Sequence, residues 1–179
     1  MNFLQKFFLK RYIAQSQPER SKELCSLQSC SSIGLMCEIT DEDSYKEIMQ
    51  VFGQLQKPGR NLWLMGYVDE TAVPFYCLQQ LTADFFCKKD FNWYGKPMKV
   101  QVTDYLQREF DLLIDFTTRS LAPVAMLLEL SNAHCIVGGN EEHEEYYDLF
   151  LNMQNEFSHQ ELLQQVDIYT QKLTGEDGK

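Results

Sequence analysis

One stretch concentrates the residue types that chemistry needs: FDLLIDFTTRS, residues 110–120. An apolar run stops on Asp115, and Thr117, Thr118 and Arg119 follow before the next apolar run begins. At a strand-to-helix turn this order suits an anion. The hydroxyls and the first backbone N–H groups of the helix attract negative charge. Arg119 adds a planar fork for phosphate or carboxylate, and Asp115 could orient a ligand hydroxyl. Asn140, just after the glycine pair 138–139, would lie on the same rim. The competing reading is a capped helix, with Arg119 in solvent and Asp115 bonded to local backbone. Every helix needs its first N–H groups satisfied and few bind ligands, so the capped strand end is favoured.

The second candidate is KKDFNWYGKP, residues 88–97. It joins charge to aromatic surface: Lys89, Asp90, Asn92, Trp93, Tyr94, Gly95 and Lys96. As a recognition loop, Trp93 or Tyr94 would stack on a ligand or partner with lysines beside them. As a structural loop, its aromatics would pin it to the body. The two readings are evenly matched.

Other chemistry is missing its parts. EITDEDS stands where a dinucleotide fold would carry G-x-G-x-x-G, and an acidic helix start disfavours a phosphate there. A P-loop lysine, a G-x-S-x-G elbow and an H-E-x-x-H pair are all missing. His134, His143 and His159 are scattered, so each reads as structural or solvent-facing. EEHEE, residues 141–145, reads as a solvated acidic loop rather than a metal site. No catalytic residue, metal or cofactor is expected.

The net charge of −10 repels nucleic-acid backbones and leaves a protein partner or a small anionic ligand. Six cysteines form no C-x-x-C pair, and Cys37 and Cys135 sit in apolar runs as small hydrophobes. With no convincing secretory signal, this predicts a reducing, cytoplasmic setting without disulfides.

The elements that would position these residues follow from periodicity. Residues 1–20 read as an amphipathic helix, with Phe3, Leu4, Phe7, Phe8 and Tyr12 at helical spacing and Lys6, Lys10 and Arg11 beside them. Docking on its own domain or on a partner is favoured over peripheral membrane contact. Residues 21–31 read as a polar linker, 32–174 as one α/β domain and 175–179 as a disordered tail. Strands are expected at 32–39, 61–68, 84–87, 110–116 and 134–139, with an edge strand near 147–153. Helices are expected after the first strand, over 103–109, over 119–131 and from a Ser158–Glu161 capping box onward. Uniformly apolar strands alternating with helices predict a three-layer Rossmann-like sandwich. Its mainly parallel sheet would have five or six strands, with the N-terminal helix added.

Lys89 to Lys96 match a K-[DN]-x-N-W-[FY]-G-K segment. With SSIGLMCEI, FDLLIDF and HCIVGG, this resembles an uncharacterised Bacteroidetes family of unknown function along nearly the whole chain. That resemblance implies no activity. Residues 109–139 resemble, more distantly, the N-terminal half of heptosyltransferase-like glycosyltransferases, with Asp111, Asp115 and Gly138 in matching places. That family uses two Rossmann-like domains and holds the nucleotide-sugar mainly on the second. Here the arginine before the last strand and the G-D turn after the first are missing, so the resemblance implies the fold and argues against intact glycosyl transfer. The expected function is a non-catalytic binding or interaction module. The alternative is a sugar-nucleotide or other small-molecule site on Asp115, Thr117, Thr118, Arg119 and Asn140.

Overall fold

In the computed structural model, residues 3–78, 80–153 and 157–175 are described. The chain runs α1 (Phe3–Ser16), β1 (Ser32–Glu38), α2 (Glu42–Leu55), β2 (Asn61–Val68), β3 (Ala83–Cys87), α3 (Val100–Gln107), β4 (Leu112–Asp115), α4 (Ala122–Leu130), β5 (Cys135–Gly138), β6 (Leu149–Phe150) and α5 (His159–Thr174). All six strands pair in parallel, in the order β3-β2-β1-β4-β5-β6. This is the expected Rossmann-like sandwich.

The strands are apolar at almost every position because helices cover both faces of the sheet. One core layer joins Ile33, Leu35, Leu64, Leu112 and Ile114 to Ile48 and Phe52 of α2 and to Leu162 and Val166 of α5. The other joins Met36, Met65 and Leu113 to Tyr105 of α3 and to Val124 and Leu127 of α4, with Leu9, Tyr12 and Ile13 of α1 packed against it.

The local signals hold where they are strongest. Asp41 caps α2 by accepting from the Ser44 N–H at 2.8 Å. Ser158 and Glu161 form the capping box of α5. α3 starts at Val100, earlier than expected, because Val102, Tyr105 and Leu106 share one buried helical face. That face overrides the strand-like alternation of MKVQV.

One expectation is overturned. Cys25 and Cys30 form a disulfide, with Cα atoms 6.0 Å apart. The segment expected as a linker turns back on itself and packs. Ser26, Leu27 and Cys30 are buried there, and the Arg60 guanidinium donates to the carbonyls of Leu27, Cys30 and Leu55. Cys37, Cys77, Cys87 and Cys135 are free and buried. α1 packs on its own domain. Its docked side is Leu9, Tyr12 and Ile13, while Phe3, Leu4, Phe7 and Phe8 face solvent. Most of the tail, residues 176–179, lies outside the described residues.

Candidate functional site

In an open parallel sheet, ligands bind beyond the carboxyl ends of the strands, at the point where strand order reverses. Here that point lies between β1 and β4. Glu38 ends β1, and Arg119 follows β4. They meet directly across the gap: Arg119 Nε donates to both Glu38 carboxylate oxygens at 2.8 Å, and Nη2 donates to Oε1. Glu38 is buried, whereas the Arg119 side chain is half exposed. The carboxylate stabilises the guanidinium and raises its pKa further.

The charges continue across the rim. Arg119 Nη2 lies 3.9 Å from Asp69, which pairs with Lys88 at 3.1 Å and accepts from the Tyr67 hydroxyl at 2.9 Å. Burial works to raise the Asp69 pKa, but the bonds from Lys88 and Tyr67 outweigh it and hold the carboxyl low. Burial, with the Asp69 carboxylate beside it, raises the Tyr67 phenol.

Behind this ion pair lies a buried network centred on Asp115, which has no exposed surface. Asp115 accepts from the Thr117 N–H at 3.0 Å and from the Thr117 hydroxyl at 2.8 Å. It also accepts from the Tyr147 hydroxyl at 2.6 Å. His143 Nδ1 lies 3.1 Å from the same carboxylate, and the Leu121 N–H points at Nε2 from 3.4 Å. A backbone N–H can only donate, so Nε2 is the accepting nitrogen and Nδ1 carries the proton toward Asp115. Tyr147 reaches this network because residue 138 is glycine. A Cβ there would lie 2.4 Å from the Tyr147 ring. Burial and then the Asp115 charge push the Tyr147 phenol far up, so it stays a donor.

Threonine, histidine and aspartate within bonding distance resemble a nucleophile, a base and an orienting acid. The proton directions rule that out. Thr117 gives its hydrogen to Asp115, the basic nitrogen of His143 faces a backbone amide, and all three side chains are buried. The group is a lock.

The structure therefore divides the candidate residues. Asp115, Thr117 and Asn140 lie together in the interior. Asn140 accepts from the Glu142 N–H and donates to the Arg119 carbonyl, both at 3.0 Å. Thr118 is exposed, and Arg119 turns to Glu38. The expected hydroxyl caps of the next helix are not made: the N-cap of α4 is Leu121, without a side-chain bond. Sequence reasoning missed His143 as the partner of Asp115. Its one signal was a histidine within an acidic run, which gives no spatial partner.

The KKDFNWYGKP loop has a clear internal logic. Asp90 accepts from the Cys87 N–H at 2.9 Å. Asn92 Oδ1 accepts from the N–H groups of Tyr94, Gly95 and Lys96 at 3.0–3.1 Å. Gly95 sits at φ 100°, which a side chain resists. The loop so shaped holds α1. Gln5 donates to the Trp93 carbonyl at 2.9 Å, Phe8 lies 5.4 Å from Trp93 and 5.9 Å from Tyr94, and the Lys96 ammonium sits 5.4 Å over the Tyr12 ring. Asp90, Asn92, Gly95 and Lys96 thus shape and dock the loop, while Trp93 stays 59% exposed.

Among the described residues, no three His, Cys, Asp or Glu side chains are placed to hold a metal ion, and no helix is long and apolar enough to cross a membrane.

Two solved structures share part of this architecture. One is the Escherichia coli heptosyltransferase WaaC with ADP-2-deoxy-2-fluoro heptose, at 13% identity and a TM-score of 0.43, covering 79% of this chain and 48% of that one. The other is the same enzyme with ADP, at 12% identity and a TM-score of 0.43, covering 78% and 47%. The chain thus spans about half the length of either structure. No curated protein matches it. A family model described as "Family of unknown function (DUF6913)" matches residues 2–173, and the chain belongs to that family.

Proposed function

We propose that this protein is a non-catalytic binding module whose recognition surface is the face built by α1 and the 88–97 loop. One observation carries the reading. Phe3, Leu4, Phe7, Phe8 and Trp93 are 82%, 59%, 51%, 41% and 59% exposed, and Phe7, Phe8 and Trp93 adjoin through the Phe7–Phe8 and Phe8–Trp93 ring contacts. Contiguous large apolar side chains in solvent mark interaction sites, because leaving them wet costs free energy that a partner recovers. The rim supports the same reading from the other side, since Glu38, Asp69, Asp115 and Asn140 there are already bonded within the protein.

Small-anion binding at the rim is the second reading, favoured by the half-exposed Arg119 beside Thr118. It requires an anion to compete with Glu38 for the guanidinium.

A photo-crosslinking residue placed at position 7 or at position 118 compares the two surfaces. The proposal expects macromolecular adducts, protein or lipid, from position 7 in cells and none from position 118. Adducts from neither position, or equally from both, would refute it.

A further inference from the structure

We infer that the partner of this face is the surface of an anionic membrane, with α1 lying flat among the lipid headgroups; this rests on the binding-face reading above. The docked side of α1 is made by Leu9, Tyr12 and Ile13. At 100° per residue, the opposite side centres on Phe7 and Arg11, flanked by Phe3, Leu4 and Lys10. The helix therefore points aromatic side chains straight away from the protein, with cations alongside them. An amphipathic helix that needed only its own domain would turn those rings inward.

Charge selects the occupant. The whole chain carries −10, yet α1 holds Lys6, Lys10 and Arg11 and no acidic residue. Lys96, 5.4 Å over the Tyr12 ring, adds a fourth cation beside the helix; the loop's own carboxylate, Asp90, is spent on the Cys87 N–H, and Glu129 lies on the inner side of α1 with Lys6 and Lys10. An acidic body that carries a basic, aromatic face meets anionic lipid most favourably through that face, which sets its orientation. Long cationic side chains reach outward to phosphates while phenylalanines enter the acyl boundary. Trp93, at the edge of the rings, is the residue type that settles at the headgroup level.

The full chain should be sedimented with vesicles of phosphatidylcholine alone and with vesicles containing phosphatidylglycerol. The inference expects binding to the anionic vesicles, weakened by added salt, and little to the neutral ones. Phe7→Glu should abolish it. Replacing Lys6, Lys10 and Arg11 together by Gln should weaken it by about fivefold for each cation removed. Phe75→Glu changes a ring that is 90% exposed outside this face, and should bind as the parent does. Circular dichroism confirms that each variant folds. Equal binding to neutral and anionic vesicles, or unchanged binding by folded Phe7→Glu, overturns the inference. No binding to anionic vesicles overturns it too. In that case protein adducts from the crosslinker at position 7 would keep the binding-face reading and make the partner a protein. Silence in both experiments would end both.

Discussion

If Asp115 is the hub of a structural lock, Asp115→Asn must be costly although it changes almost no volume. The carboxylate accepts from the Thr117 N–H and hydroxyl, from His143 Nδ1–H and from the Tyr147 hydroxyl; Asp115, Thr117 and His143 are fully buried and Tyr147 partly so. An amide retains one accepting oxygen. If that oxygen stays with Thr117, the new NH2 group faces two donors. Tyr147 can rotate its hydroxyl to accept. His143 cannot adapt as easily, because moving its proton to Nε2 sets that N–H against the Leu121 N–H. Both residues still lose their bond to a charged acceptor, which contributes about 1.5–3 kcal/mol each, so the loss is about 3–6 kcal/mol before the weaker neutral bond that Tyr147 regains. Relief of burying a charge offsets part of this, which leaves about 3–5 kcal/mol, the usual range for a broken buried pair. For a chain of this size each kcal/mol moves Tm by about 2–4 °C, so the expected fall is about 6–20 °C. Thermal and urea unfolding at neutral pH, followed by circular dichroism, measure it. A binding site behaves in the opposite way: polar groups held ready for a ligand cost stability, and neutralising one often raises Tm. An Asp115→Asn variant that melts at or above the parent temperature would refute the lock and return Asp115 to the candidate ligand residues.

Two further tests concern other parts of the fold. Gly95→Ala puts a side chain at φ 100° against Leu9, and should cost about 1–2 kcal/mol and speed amide exchange along α1; unchanged exchange would show that the loop does not hold the helix. Asp148 ties the 20–22 segment to β5 through Arg20, Lys22 and the Ile136 N–H. Burial raises its pKa, but those partners outweigh burial and leave it lowered. The unfolded chain therefore takes up this proton first. The stabilisation is complete above about pH 4, the ordinary carboxylate value, and fades as pH falls below it. Asp148→Asn should flatten the acid limb of the stability curve; an unchanged limb would argue against the pairing.

Much of the architecture was legible in local pattern. Uniformly apolar strands separated by helical stretches can be buried only between two helical layers, so SSIGLMCEI, NLWLMGYV and FDLLIDF announced a parallel sheet. The capping box of α5 acts over three residues and appears as read. The site was less legible because its partners are far apart in sequence. FDLLIDFTTRS contains two aspartates, two threonines and an arginine in any fold. That Asp115 meets His143 and Tyr147, and Arg119 meets Glu38 across 81 positions, follows from strand order. The Cys25–Cys30 bridge depends on a turn that no spacing rule announced.

The first helix shows where the division lies. Its sequence alone determined a helix with aromatic and basic residues and no acid. Both Leu9–Tyr12–Ile13 and Phe3–Leu4–Phe7 are credible apolar faces, so periodicity could not choose which one turns inward. Tertiary structure chose. The 88–97 loop, shaped by Asn92 and Gly95, offers Trp93, Tyr94 and Lys96 to Phe8 and Tyr12, and the core beneath takes Leu9 and Ile13. Burying one face leaves the other in water, because a helix surrounded on one side by its own domain can turn only half its surface inward.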